Sequence, residues 1–289
     1  MTNLTRFCLL LTLLAVASAS LAAPRRQGRA PRRAQRPDTT ATARAAADSA
    51  RPAPVAEPVD SLALAWADSI LAAHGGPAAW DSLLDLCYTG ATTQYGKGVA
   101  ERTVGSRRFL KLGPGGPMYR VEARSDSGTL LVFGCTPVFA WAYEDFDMLT
   151  DPAASRHARQ QLTLDLFLFG LPWRLRQPGV TLHDAGEADR AGHSVHLLDV
   201  DVAGSPDLWR IGMDAATHLV VEAEWWHYER GAVPPRTRIE LSEFTTVAGM
   251  RWATRRRIFD GADGKLLLDW RASEFRANAG IEDRKFSGR

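Results

Sequence analysis

The part of the chain that most constrains its fold runs from residue 180 to residue 276, where seven segments with the pattern of long strands follow one another. Each alternates apolar and polar residues, and Trp209, Trp225, Trp252 and Trp270 fall on the apolar sides. This alternation is typical of an antiparallel sheet with one solvated face. A sheet this wide presents a broad aromatic face, so a helix, a second sheet or an apolar ligand must cover it.

Five more strands are predicted ahead of this region, and no exact internal repeat relates them to the later seven. Glycine, proline and aspartate cluster in many of the breaks between segments, which is typical of hairpin turns. The predicted strands cover residues 86–95, 99–112, 117–125, 129–135, 137–143, 180–187, 193–202, 207–213, 218–229, 236–246, 250–259 and 265–276.

Three helices are predicted around these strands. The first covers 60–73, between an N-capping aspartate and the pair Gly75-Gly76, and the second covers 78–84 after a proline. The third runs from 151 to about 169, and its second half is apolar nearly all round, which is typical of a buried helix. Residues 172–178 are predicted to form a loop. The order helices, five strands, helix, seven strands indicates a single domain.

The first residues have the pattern of a secretory signal peptide. Arg6 precedes an apolar run from Phe7 to Ala19, and small residues follow up to Ala22, the expected cleavage point, with Ala19 as the alternative. The run is too short to span a membrane comfortably. Cys8 lies early in it rather than just beyond its end, so no lipid-attachment cysteine is predicted. We therefore expect residues 1–22 to be removed and the mature protein to be soluble and periplasmic.

Residues 23–58 are rich in Ala, Pro and Arg without apolar periodicity, which predicts a disordered linker. The formal net charge of the chain is +2, to which the signal peptide contributes +1 and this linker a net +5. Residues 59–289 therefore carry a net charge of −4, which argues against nucleic acid as a partner. The linker is interpreted either as an inert tether or as a transient contact to an anionic membrane surface.

No catalytic motif interrupts the strands: the chain has no Gly-x-Ser-x-Gly elbow, His-Glu-x-x-His helix or phosphate-binding loop. His193 and His196 would point to opposite faces of one strand, and even with His183 nearby, isolated surface histidines are expected. Asp199 and Asp201 share a face without a matched acid or histidine. We therefore predict no catalytic residue, no metal site and no cofactor.

Two cysteines remain beyond the signal peptide, Cys87 and Cys135, 48 positions apart. A disulfide would require their strands to be neighbours, and two buried free thiols are the interpretation that we favour. The segment 260–264 faintly resembles a calcium loop but lacks the later ligands and the closing glutamate, so it predicts a hairpin turn.

Several stretches of the chain resemble one known superfamily. Residues 70–90 resemble the helix, Gly-Gly, Trp and first-strand opening of outer-membrane lipoprotein-sorting proteins of the LolA/LolB type. Residues 275–286 are similar to the closing segment of that superfamily, in which an Asn and a Gly precede an acidic residue and a final Phe. Residues 209–214 and 244–252 resemble its middle strands. The resemblance spans about 59–289.

The resemblance implies an α+β fold in which one antiparallel sheet of about eleven strands curves into a half-barrel with helices plugging its concave face. It also implies an apolar cavity for lipid acyl chains on that face. The residues expected to line the cavity are Tyr119, Val121, Phe139, Trp141, Leu166, Phe169, Trp209, Met213, Trp225, Trp252 and Trp270. Simple core packing is the competing interpretation of each tryptophan.

The function that the resemblance implies is a periplasmic, non-enzymatic carrier of lipid or lipoprotein acyl chains, of the lipoprotein carrier type that serves outer membrane biogenesis. The first alternative is a cell-envelope scaffold or sensor of the same fold, with a filled cavity and a protein partner. The second is a hydrolase of an unrecognised type, for which Asp199, Asp201 and His196 are the available candidates.

Overall fold

The computed structural model describes residues 60–287 with gaps at 97, 126–127, 191, 206 and 227–235, and of residues 152–158 and 160–163 it describes the backbone without the side chains. The predicted signal peptide and the predicted linker lie outside the described residues, and both stay predictions.

Within the described residues, thirteen strands form one open antiparallel sheet accompanied by three α-helices and a 3-10 helix. The strands are β1 (Asp85–Gly96), β2 (Val99–Lys111), β3 (Met118–Arg124), β4 (Leu130–Cys135), β5 (Ala140–Glu144), β6 (Asp147–Met148), β7 (Val180–Arg190), β8 (His193–Val202), β9 (Leu208–Asp214), β10 (Val220–Trp226), β11 (Arg236–Val247), β12 (Met250–Asp260) and β13 (Leu266–Ala277). The helices are α1 (Ser61–Ala73), α2 (Gly76–Asp81), α3 (Pro152–Arg174) and the 3-10 helix Asp283–Phe286.

The sheet consists of two meanders joined by one long-range pairing. Its order is β6-β5-β4-β3-β2-β1-β13-β12-β11-β10-β9-β8-β7, so strands that are consecutive in sequence are neighbours on either side of the β1–β13 pair. Helix α3 follows β6 and precedes β7, which are the two edge strands. The helix therefore connects one edge of the sheet with the other.

The contacts of α3 require the sheet to curve around it. Asp165 of α3 pairs with Arg108 on β2, and Phe167 stacks on Trp209 of β9 with ring centroids 3.9 Å apart. These strands are six positions apart in the sheet, which is about 29 Å in a flat sheet at about 4.8 Å per strand. Side chains two residues apart on one helix can reach both strands only if the sheet wraps around the helix. The predicted half-barrel is confirmed, with thirteen strands rather than about eleven.

The end of α3 differs from the predicted one. The helix runs through Pro172 to Arg174, whereas the sequence predicts an end near residue 169 and a loop beyond it. Leu171 and Trp173 are 1% and 4% exposed. Their burial against the sheet offsets the cost of about 3 kcal/mol that a proline imposes inside a helix.

The outer face of the sheet, which the sequence predicts to be solvated, carries ion pairs. Glu222 and Glu224 are buried. Arg190 donates to Glu222 over 3.1 Å, and Arg236 pairs with Glu224. The long arginine side chains lie across the sheet and shield these carboxylates from water.

The motifs near the two ends of the domain, on which the resemblance rests, meet in space. The carboxylate of Asp85 accepts hydrogen bonds of 2.7 to 3.1 Å from the backbone N–H groups of residues 279–281. The side chain of Asn278 accepts from the N–H of Leu84 and donates to the carbonyl of Ser82. These bonds fix the closing segment beside the start of β1.

The Gly75-Gly76 pair makes a close approach between the helices and the sheet. Gly75 has a φ of +112°, and a Cβ atom there would lie 2.3 Å from the carbonyl oxygen of Gly249. Only glycine fits both the backbone angle and the contact. The pair thus ends α1 and holds the turn against the β11–β12 hairpin.

Candidate functional site: a cavity beneath helix α3

The aromatic residues of β9 and β10 that were expected to line a cavity are packed against α3. Phe167 stacks on Trp209, and Trp209 stacks in turn on Trp225 with centroids 5.6 Å apart. Met213 is fully buried in the same core. These side chains fill the concave face under this part of the helix.

Aromatic residues of α3 also pack against the sheet at β12. Trp252 lies 4.0 Å from the ring of Phe169 and 5.1 Å from that of Trp173, measured between centroids. Tyr119 and Val121 are buried in the same core as these rings. Phe169 and Trp173 are therefore the contacts by which the last turns of α3 close over β12.

Trp141 and Phe139 require a correction. Trp141 lies on the outer face, where the guanidinium of Arg120 is 5.2 Å from its ring, and Phe139 lies in the turn before β5 with 43% of its surface exposed. The inner positions of β5 are Ala140 and Ala142, whose small side chains leave room for α3 against this strand. The bulky residues face outward because the helix occupies the inner side.

A cavity of about 440 Å³, lined mostly by apolar residues and partly open to solvent, lies between α3 and two distant parts of the sheet. Its lining residues are Trp80, Leu110, Leu112, Gly113, Pro117, Leu166, Phe167, Phe169, Gly170, Trp173, Arg174, Leu175, Gln177, Pro178, Val180, Val200 and Val202. Leu166 and Phe169 belong to the predicted lining. Leu110 on β2 and Val200 on β8 lie seven positions apart in the sheet, so only its curvature brings them together.

A buried ion cluster, which consists of Arg108, Asp165 and Arg256, connects α3 to the sheet beside this cavity. Arg108 on β2 pairs with one carboxylate oxygen of Asp165, and Arg256 on β12 lies 3.5 Å from the other. Arg108 also donates to the hydroxyl of Tyr119 over 3.3 Å, and the hydroxyls of Tyr119 and Tyr88 are 3.0 Å apart. One helical carboxylate thus joins two strands that lie on opposite sides of the β1–β13 pair.

Burial and charge act in opposite directions in the ion cluster. Burial alone would lower the pKa of Arg108, but the neighbouring Asp165 and Tyr119 raise that pKa above its ordinary value. Burial, and then the charge of Asp165, raises the pKa of Tyr119 well above its ordinary value. The guanidinium groups of Arg108 and Arg256 lie 5.4 and 4.4 Å from the ring of Trp270, one of the predicted lining residues. Arg108 therefore stays charged, and its counter-charge comes from α3.

The ion cluster is not among the predictions from the sequence, although the chain carries a signal for it. Arg108 alternates in phase with the buried Leu110, and Arg256 alternates in phase with Trp252 and Ile258. A cation on the apolar side of a strand needs a buried partner. Asp165 lies within the otherwise apolar second half of the third helix, where an acidic residue is equally out of place.

Two of the other candidate residues from the sequence, His196 and Asp199, have structural partners. His196 pairs with Glu187 at 3.2 Å and stacks on Trp66, and Arg210 binds Asp199 through two bonds of 2.6 and 2.9 Å. Cys87 and Cys135 are free, since two strands separate β1 from β4. Across the described residues, no three or more His, Cys, Asp and Glu side chains are grouped so that they could hold a metal ion, and no helix is long and apolar enough to cross a membrane.

No model of a known protein family matches this chain, and no curated protein sequence matches it. Solved structures do. A domain provisionally described as an outer membrane lipoprotein-sorting protein, from Vibrio parahaemolyticus, has a TM-score of 0.53 at 15% identity over 78% of this chain and 96% of that one. A LolA superfamily protein from Nitrosomonas europaea has a TM-score of 0.53 at 9% identity over 78% and 97%.

The chain has the fold of the LolA superfamily. A DUF1329 family protein from Desulfovibrio piger is similar to the same extent, with a TM-score of 0.54 at 13% identity over 78% of this chain and 97% of that one. The LolA-like fold expected from the terminal motifs is confirmed. Because the sequence identities are this low, the similarity establishes the architecture alone. The ligand has to be inferred from the cavity.

Proposed function

We propose that this protein is a non-enzymatic carrier that holds an acyl chain of a lipid or lipoprotein in the cavity beneath α3. The observation that carries the proposal is the cavity itself, about 440 Å³ and lined mostly by aliphatic and aromatic side chains. That volume lies within the range of about 300 to 1,000 Å³ that small-ligand sites occupy. Each buried CH₂ group contributes about 0.8 kcal/mol, so an acyl chain gains strongly by entering.

The volume of the cavity limits the size of the ligand that fits while α3 is packed against the sheet. At roughly 30 Å³ per non-hydrogen atom, the share that water takes in the liquid, the space admits on the order of 15 such atoms. This corresponds to one acyl chain of moderate length. A lipoprotein with several chains requires α3 to move away from the sheet.

The ion cluster supplies a reversible attachment for that movement. The side chains of Arg108 and Arg256 are 6% and 7% exposed, and Asp165 is the carboxylate that both contact. When α3 moves, water replaces these contacts at both ends. The same movement separates Phe167 and Phe169 from the tryptophans on which they stack. When a ligand enters, contacts with its acyl chain replace these aromatic contacts.

The proposed location of the carrier is the periplasm. This rests on the signal-peptide pattern of residues 1–22. The Arg-rich residues 23–58 would bring the carrier to an anionic membrane surface for transient contact.

One observation favours the scaffold as a second candidate function. Trp209, Trp225 and Trp252 fill much of the concave face with stacked rings, as a protein with a permanent core would. In that case α3 never leaves the sheet, and a protein partner binds the outer surface.

Binding of a neutral amphiphile separates the two functions. We expect dodecanol to bind in isothermal titration calorimetry, and native mass spectrometry after gentle purification to show a lipid adduct. Val202→Phe, which fills the cavity, should weaken dodecanol binding about tenfold, equivalent to about 1.4 kcal/mol. Val247→Phe enlarges a similarly half-buried strand valine that is not part of the lining, and it should leave binding unchanged. A protein that carries no lipid and takes up no dodecanol is a scaffold and not a carrier.

A further inference from the structure

Arg174 is the charged residue among the described residues that line the cavity. It lies in the last turn of α3, and its guanidinium is 5.9 Å from the centroid of Phe167, another lining residue. Gly170 lies one turn earlier, and a Cβ atom there would be 3.3 Å from the Nε of Arg174. The missing side chain of Gly170 therefore lets the arginine lie back along the helix at the cavity wall.

The guanidinium of Arg174 has no counter-charge within the described chain. None of the ion pairs or hydrogen bonds among described residues uses its nitrogen atoms, and burial lowers its pKa. The C-terminal end of a helix favours a cation, which explains why one is tolerated here. The five N–H donors of the guanidinium have no acceptor among the described residues, and the half-buried side chain leaves them accessible from the cavity.

Other arginines of the domain are paired with acidic side chains. Arg176, two residues further along, pairs with Asp68 through an Nε–Oδ1 distance of 3.2 Å and lies outside the cavity lining. Arg108 and Arg256 share Asp165. Arg174 differs from all three because what faces it is an apolar space large enough for a ligand.

We propose that the cavity takes a single-chain amphiphile with a carboxylate headgroup, and that Arg174 binds this carboxylate. The inference rests on the proposed function and specifies its ligand. The planar guanidinium matches a carboxylate through two parallel hydrogen bonds. The acyl chain then lies along the apolar lining residues, among them Leu166 and Val200.

The test compares dodecanoate with dodecanol, which share a chain length and differ in charge, by isothermal titration calorimetry on the full chain. The wild-type protein should bind dodecanoate about tenfold more tightly than dodecanol, as a charge-assisted bond provides. Arg174→Gln should lose this preference and keep its affinity for dodecanol. Arg174→Lys, which keeps the charge, should retain part of the preference.

Arg176→Gln is the matched control, and it should behave as wild type, because Arg176 pairs with Asp68 and lies outside the cavity lining. Equal affinity of the wild type for the two ligands, with binding intact, overturns this inference and leaves the carrier function standing. A preference that survives Arg174→Gln also overturns it, since the anion then binds elsewhere. Failure of both ligands to bind the wild type overturns the carrier function together with the inference.

Discussion

At the scale of single residues, His74 shows how the turn after α1 is held. Its Nδ1 donates to the carbonyl of Arg251 over 2.8 Å, and its Nε2 accepts from the N–H of Val220 over 3.2 Å. Both ring nitrogens are used in the neutral tautomer, and the side chain is 3% exposed. Burial lowers the pKa of His74 to about 4, from an ordinary value of 6.5.

This shift predicts a pH dependence of stability. Below pH 6.5 the unfolded chain takes up a proton at His74 while the folded protein does not, so the free energy of unfolding should fall as the pH drops from 6.5 towards 4. The loss attributable to this residue is at most about 3 kcal/mol. Urea unfolding across this pH range should show a flatter profile for His74→Gln than for wild type. Identical slopes would mean that other groups cause the pH dependence.

At the scale of elements, the attachment of α3 to the sheet depends on the carboxylate of Asp165. Asp165→Asn removes the negative charge and leaves Arg108 and Arg256 buried without a counter-charge, which costs about 3 kcal/mol. We expect lower stability in urea and faster hydrogen exchange along α3, with exchange in β13 less affected. A loosened helix should also admit dodecanol faster.

Asp199→Asn is the control for Asp165→Asn, because Asp199 also pairs with an arginine, Arg210, but does so on the outer face, where their side chains are 40% and 36% exposed. Exposed pairs contribute about 0 to 1 kcal/mol, so this variant should remain close to wild type. Similar losses in both variants would show that the ion cluster has no special role in holding the helix.

The sequence predicts the elements of this fold well because strand alternation is a local signal. Hairpin partners follow from it directly, and each of the twelve predicted segments overlaps a strand of the sheet. Where prediction failed, the cause was an element distant in sequence. Trp141 faces outward because α3 occupies the inner side of β5, and Pro172 remains helical because Leu171 and Trp173 are buried around it.

At the scale of the whole molecule, the cavity could not be predicted from local patterns. It forms between Leu110 near one side of the sheet and Val200 near the other, and their proximity depends on how far thirteen strands curve. The predicted lining residues Trp209, Trp225 and Trp252 instead pack into stacked rings on the concave face. The resemblance supplied the half-barrel, and the position of the empty space within it required the structure.

The two meanders meet at β1 and β13, which makes this junction decisive for the cooperativity of the domain. Asp85 is 3% exposed at one end of the junction and accepts three backbone hydrogen bonds from residues 279–281. Asp85→Ala leaves those N–H groups without acceptors, and we expect a loss of about 3 kcal/mol. Because β1–β13 is the pairing that joins the meanders, the whole sheet should unfold in one transition at a lower urea concentration.

Tryptophan fluorescence and far-ultraviolet circular dichroism should report the same displaced midpoint for Asp85→Ala, since tryptophans lie in both meanders. Asp263→Ala is the matched control, because Asp263 also accepts a backbone hydrogen bond, from Lys265 over 3.1 Å, but does so in an exposed hairpin, where its loss should cost less than about 1 kcal/mol. Two separate transitions in Asp85→Ala, one of them at the wild-type midpoint, would contradict a single cooperative sheet. A single shared transition means that the cavity, with walls from both meanders, exists only in the fully folded domain.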